Sequence, residues 1–325
     1  MPARVTLYPS QISFEAARGE SLLTAALRAG LNVDYGCSNG SCGRCLAYLK
    51  SGEVVPVAHH DYIISTADKA QGGLLMCCQA ASGDVSLEAR LAHDGTEIPL
   101  QQLRAKVRKL EHCDAHTLLL QLRTARSKTL RFIAGQHARL HLVNGLEREL
   151  PIASCPCDGM NLEFHLHRDA SDRFTEYVFN ELSNSTWVDI EGPCGDFTLD
   201  EDDPSPILFI AWGAGFGPIR SLIEHCLSLE LTQTIRLFWV IHEGEVHYAE
   251  GYCRAVADAF ENIHFHALQT ETADEALQQI REQAVDLAGW HAYIAAPPTI
   301  IDRCTEQLGQ IGLQANKVKS DPLVA

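Results

Sequence analysis

The chain has 325 residues, of which 46% are hydrophobic, and 26 lysines and arginines stand against 42 aspartates and glutamates for a net charge of −16. That length is room for roughly two to three domains with filled cores, and the acidity excludes the basic face that nucleic acid or an anionic membrane surface calls for. Met1 to Pro9 lacks a basic stretch leading into an apolar one, and the longest apolar run, Ile207 to Ile219, is broken by glycines, so the expected location is the cytoplasm, without membrane insertion.

Residues 4–9 (RVTLYP) and 12–16 (ISFEA) alternate as a strand pair does, and Gly19 to Asn32 then sets Leu22, Leu23, Ala26 and Leu27 on one helical face. A glycine- and cysteine-rich loop follows, then strands over Leu46–Lys50 and Asp84–Ala89, and a polar stretch at 93–102 reads as a linker. From Leu103 to about Leu199 short β-runs alternate with turn residues, at Thr117–Leu122, His137–Val143, Leu162–His167 and Thr186–Ile190. A small β-barrel is the expectation. After the acidic stretch Asp200 to Pro206 the pattern becomes strand and helix in turn: Ile207–Trp212, Ile219–Leu229, Ile235–His242, Ala249–Phe260, Ile263–Leu268, Ala292–Ala296 and Ile300–Gly309. Such alternation implies a parallel sheet covered by helices.

Twelve cysteines in a long chain of this kind do not suggest a disulfide framework, which leaves some free to bind metal. Cys37-x4-Cys42-x2-Cys45-x32-Cys78, with Cys77 as the neighbouring alternative for the last ligand, is the spacing with which four thiolates hold a [2Fe-2S] cluster of the plant type. Zinc sites more often pair two short Cys-x2-Cys knuckles. Gly36, Gly40 and Gly43 allow the loop to curl its amides toward the sulfurs. Histidines occur in alternating pairs at His165/His167 and His264/His266, without carboxylate or cysteine at ligand spacing, and are expected to pack on the barrel or the sheet surface.

The segment Val5 to Leu87 resembles the plant-type ferredoxin family. Its last ligand sits in a G-x-x-L-x-C pattern, which Gly73-Leu74-Leu75-Met76-Cys77-Cys78 meets with Cys78. Cys77, next in a β-segment, is then expected on the opposite side. The remaining two thirds resemble the ferredoxin–NADP reductase superfamily through Phe132-x2-Gly135-Gln136, Arg148 to Ser154, Gly192-Pro193-Cys194-Gly195-Asp196-Phe197 and Gly213-Ala214-Gly215-Phe216-Gly217-Pro218. The three-part order is similar to the reductase components of bacterial oxygenases and of deoxysugar synthesis.

The resemblance implies a β-grasp ferredoxin domain (1–92), a linker (93–102), a six-stranded FAD-type β-barrel (103–203) and a parallel α/β NAD(P)-binding domain (204–325). It implies that Arg148 pairs with the FAD diphosphate, that Leu150 and Pro151 stand where the family signature R-x-Y-S has its tyrosine and serine, and that Ile152 and Ser154 border the flavin. Leu150 offers no aromatic stacking, and Pro151 has neither a hydroxyl nor an N–H. Thr175 is expected to cap a helix whose amides face the diphosphate. Gly213, Gly215 and Pro218 form the turn that admits the nicotinamide dinucleotide. Ala295-Ala296-Pro297-Pro298 replaces the family's C-G-P-P, the terminal aromatic residue is missing, and Glu243 and Glu245 favour NADH over a 2′-phosphate.

The implied activity is electron transfer from NADH through FAD and the [2Fe-2S] cluster to a redox partner, such as an oxygenase or hydroxylase component with a basic docking patch. The alternative is a cluster-bearing redox module whose reductase portion serves as a docking or nucleotide-sensing scaffold without hydride transfer.

Overall fold

Residues 2–31, 33–35, 40, 43–89, 91, 98, 100–126, 128–284 and 286–323 are described in a computed structural model of the chain. The alternating opening forms an antiparallel hairpin of β1 (Ala3–Tyr8) and β2 (Ile12–Ala16), with Val5 opposite Phe14. Val5, Leu7 and Phe14 are buried together with Leu22, Leu23 and Ala26 of α1 (Leu22–Arg28). Ser21 starts that helix, its hydroxyl accepting from the Thr24 amide at 3.1 Å. Then come β3 (Leu46–Ser51), β4 (Val54–Pro56), α2 (Thr66–Ala70), β5 (Gly73–Leu75), β6 (Gln79–Ala81) and β7 (Val85–Glu88). The sheet order is β2-β1-β7-β3-β5, with β1 and β7 parallel and the other pairs antiparallel, while β4 and β6 form a separate ribbon. A mixed sheet covered by one helix is the expected β-grasp arrangement.

The second sheet is antiparallel throughout. Its strands are β8 (Gln101–His112), β9 (Thr117–Thr124), β10 (His137–His141), β11 (Glu147–Pro151), β12 (Asn161–His167) and, after helix α3 (Arg173–Asn180), β13 (Trp187–Cys194). They lie in the order β11-β10-β13-β8-β9-β12. Past the edge strands the Ala153 amide donates to the Glu163 carbonyl at 2.8 Å, so the sheet nearly closes into a barrel. Leu118, Leu120, Leu140, Phe164, Val188 and Ile190 fill it, and α3 adds Phe174, Val178 and Phe179. β8 begins at Gln101, inside the stretch expected as linker. A disulfide joins Cys155 to Cys157 across Pro156. It closes only a three-residue turn, so the domains still rest on their cores.

The third sheet is parallel, in the order β16-β15-β14-β17-β18. Its elements are β14 (Ile207–Trp212), α4 (Phe216–Ser228), β15 (Ile235–His242), α5 (Glu250–Ala259), β16 (Ile263–Thr270), α6 (Ala273–Gln283), β17 (His291–Ala296), α7 (Pro298–Gly309) and β18 (Val318–Pro322). Alternation sends Phe209, Leu237 and Trp239 into one core with α4, and Leu208, Phe238 and Val240 into the other with α6 and α7. β14 is buried along its whole length, as a central strand covered on both faces must be.

The three units make direct contact. Arg131 of the barrel, 7% exposed, reaches Asp34 of the first unit at 2.5 Å and lies over the Tyr35 ring. Burial pushes the Tyr35 hydroxyl up to about 12. Between barrel and parallel sheet, Ser221 of α4 donates to the Ser154 carbonyl at 2.9 Å and Arg220 pairs with Glu163 at 2.5 Å.

Candidate functional site

Antiparallel pairing of β3 with β5 sets Leu46 opposite Leu75, which carries Cys45 to the turn that follows β5. The Met76 amide donates to the Cys45 carbonyl at 3.0 Å, and Cys45, Cys77 and Cys78 are all buried. The expectation that Cys77 faces away from Cys78 is corrected. Residues 76–78 form one tight 3-10 turn instead of continuing a strand, so the two-residue alternation stops there. The Cys77 sulfur therefore lies 3.2 Å from that of Cys45 and 3.5 Å from that of Cys78. Cys37 and Cys42 lie outside the described residues.

Gly40 has φ +81°, and a Cβ there would come within 2.7 Å of the Cys78 sulfur and 2.5 Å of His60 Cβ. The loop thus needs glycine both for its left-handed conformation and for its approach to the thiol. The buried thiols of Cys45 and Cys78 beside a side-chain-free Gly40 fit an iron–sulfur cluster, whose irons prefer soft thiolate ligands.

On the barrel, β11 and the start of α3 converge. Arg148, opposite Leu140 in register, extends Nη1 to Asp172 Oδ2 at 2.7 Å. The same oxygen accepts from the Thr175 amide at 2.8 Å. Asp172, and not Thr175, is therefore the N-cap of α3. Thr175 is buried, and its hydroxyl donates to the Asp169 carbonyl at 2.9 Å. A guanidinium and a helix amide meeting at one anion are the donor set that a diphosphate requires, so these residues fit FAD. Leu150 and Ile152 sit in the barrel core. Pro151 ends β11 beside His137. The Ser154 hydroxyl accepts from the Glu163 amide at 3.2 Å.

In the parallel sheet β14 is central, and the chain first adds β15 and β16 on one side and then returns to add β17 and β18 on the other. The reversal lies between β14 and β17. Ligands of such sheets bind at that crevice, beyond the carboxyl ends of the strands, and both Gly213–Gly215 and the Ala295-Ala296-Pro297-Pro298 stretch stand there. Gly215 has a packing reason of its own, because a Cβ would come 2.3 Å from the Ala295 carbonyl oxygen. The Gly213 carbonyl accepts from Trp239 Nε1 at 3.0 Å, and Pro218 is buried in the first turn of α4. Glu245 accepts from the His242 amide at 2.8 Å and faces His167 Nε2 at 3.1 Å.

Two residues that the sequence did not single out join these regions. His137 Nε2 lies 3.0 Å from Asp321 Oδ1, both side chains being largely buried. His137 neighbours Pro151 in β11, and Asp321 neighbours Ala295 in β17. The pair therefore joins β10 to β18, the strands that flank the two carrying the altered signatures. His137 Nδ1 and Asp321 Oδ2 find no hydrogen-bond partner among the described residues.

A second buried group lies between barrel and sheet. His165 Nε2 is 3.0 Å from Glu163 Oε1, and the Tyr248 hydroxyl is 2.9 Å from His165 Nδ1. An ionised carboxylate only accepts, so Nε2 carries the proton and Nδ1 accepts from the tyrosine. Burial lowers the His165 pKa and keeps the ring neutral. Burial alone would raise the Glu163 carboxyl, but the His165 hydrogen bond and the Arg220 charge hold it at about 2.

Residues 5–82 match the model of the 2Fe-2S iron-sulfur cluster binding domain. Over 331 residues the chain is 29% identical to the CDP-6-deoxy-L-threo-D-glycero-4-hexulose-3-dehydrase reductase of Yersinia pestis, covering 100% of this chain and 99% of that protein. It is also 29% identical to terephthalate 1,2-dioxygenase reductase component 2 of Comamonas, over 74% of this chain and 70% of that protein. Among solved structures, an Amycolatopsis cytochrome P450 reductase shares the fold with a TM-score of 0.64 and 23% identity, covering 99% of each chain.

Proposed function

We propose that this chain, whose residues 5–82 match a 2Fe-2S iron-sulfur cluster binding domain and whose fold is that of a ferredoxin reductase, is a reductase which passes electrons from NADH, by way of FAD, to the cluster and on to an oxygenase or similar acceptor. The proposed division is 1–92 for the ferredoxin domain, 103–203 for the flavin barrel and 204–325 for the nucleotide domain. The observation that carries the reading is the convergence of Arg148 and the α3 amide on one anion seat, in a chain whose relative of nearly equal length is itself a reductase. That likeness does not favour the scaffold alternative.

Bound flavin supplies the conversion between two-electron and one-electron chemistry that nicotinamide lacks. The protein's part is to hold and orient. Arg148 and the Thr175 amide hold the diphosphate, and the turn at Gly213 to Pro218 leaves the crevice at the sheet reversal open to the dinucleotide. Glu243 and Glu245 disfavour a 2′-phosphate and so favour NADH. Cys37, Cys42, Cys45 and Cys78 are the proposed cluster ligands. The charge of −16 suits an acceptor with a basic docking patch. No helix among the described residues is long and apolar enough to cross a membrane, in keeping with a proposed place of work in the cytoplasm.

Acceptor preference tests the order of the carriers. Cys45→Ser in the flavin-loaded protein should leave NADH-driven ferricyanide reduction within about twofold of wild type, because a small oxidant draws on the flavin directly, while cytochrome c reduction falls to background. Equal loss of both activities would contradict the proposed order.

A further inference from the structure

The anion seat on the barrel already holds an anion supplied by the chain. One oxygen of Asp172 takes both the Arg148 guanidinium at 2.7 Å and the Thr175 amide at 2.8 Å. Both side chains are largely withdrawn from solvent, Arg148 at 15% and Asp172 at 24% exposure. The carboxylate is fixed from both sides, by β11 and by the first turn of α3. Asp169 adds a second negative group, close enough to Arg148 for the arginine to help lower its carboxyl pKa, after the larger effect of hydrogen bonds from Ser171.

We propose that Asp172 is a built-in competitor for the flavin diphosphate, which makes FAD a dissociable cofactor of this chain. The inference rests on the FAD reading above. A diphosphate cannot take the Nη1 donor of Arg148 or the Thr175 amide while the carboxylate holds both, because each of these two donors is already aimed at Oδ2. Binding must swing Asp172 out, break two charge-assisted hydrogen bonds and leave α3 without its cap. The displaced carboxylate, confined to the residue before the helix, then faces the diphosphate as a like charge. Flavin moieties without a diphosphate escape all of these costs, so the penalty falls on one part of the cofactor only.

Asp172→Asn separates charge from structure, because asparagine caps a helix about as well as aspartate. Calorimetric titration of the full, cluster-containing chain with FAD, ADP and riboflavin reads the effect. D172N should bind FAD and ADP about tenfold or more tightly than wild type, the worth of a charge-assisted hydrogen bond, and riboflavin within twofold of wild type. Arg148→Ala should weaken FAD and erase the gain from D172N in the double variant. If D172N leaves FAD affinity unchanged while R148A loses it, Asp172 does not compete and the proposal is overturned. If R148A retains wild-type FAD affinity, the diphosphate lies elsewhere and the proposal falls with its seat. If neither wild type nor D172N binds FAD or riboflavin, the flavin reading fails and takes the inference with it.

Discussion

At the scale of single residues, the cysteine turn carries the sharpest test of the ligand set. The Cys77 sulfur lies 3.2 Å from that of Cys45 and 3.5 Å from that of Cys78, so its place among the thiols does not by itself exclude it as a ligand. The loop does choose, because Gly40 brings its side-chain-free surface against Cys78. Cys77→Ser should therefore keep its full iron content and Cys78→Ser should lose the cluster, since a hard hydroxyl replaces a thiolate poorly. Iron analysis of the two purified variants decides, and the reverse pattern would reassign the fourth ligand to Cys77. Cysteine spacing made the cluster legible, because ligands to one metal centre lie in a short loop with a distant partner. Asp172 was not legible as the partner of Arg148. The two are 24 residues apart, on a helix cap and a strand whose meeting depends on barrel closure. His137 and Asp321 are 184 positions apart and are joined only by how the sheets pack.

At the scale of elements, strands with a strongly apolar face announced themselves, and polar strands such as β18 and β8 did not. β18 reads as polar because only Asp321 in it is buried, and β8 hides its apolar Leu103, Ala105 and Val107 between charged outward residues. Helix α6 buries only Ala276, Leu277 and Ile280, too sparse a stripe to stand out. The contact of β12 with α4 rests on Glu163, whose folded pKa of about 2 lies below the ordinary 4.5. A depressed carboxylate contributes stability that is complete above its unfolded pKa and lost as pH falls through the folded one, here from 4.5 toward 2. Glu163→Gln should thus lower the thermal midpoint clearly at pH 7, and the gap to wild type should narrow on acidification below that range. Scanning both proteins across pH checks it, and a gap independent of pH would mean that Glu163 acts through shape alone.

At the scale of the whole molecule, the order of the three units was readable from changes in period along the chain, because a β-grasp opening, a run of short strands and a strand–helix alternation leave different patterns. Their mutual docking was not readable. It depends on contacts such as Arg131 with Asp34 and Ser221 with the Ser154 carbonyl, each between residues in different units. This docking joins the cluster-bearing unit to the barrel and the barrel to the parallel sheet, as a chain of carriers inside one polypeptide requires. Anaerobic addition of NADH to the full chain loaded with FAD and cluster, followed by electron paramagnetic resonance at low temperature, tests that claim most directly. The predicted result is the signal of a reduced [2Fe-2S] centre appearing with NADH alone. The contradicting result is a cluster that dithionite reduces but that stays oxidised in the presence of NADH or NADPH while flavin is bound.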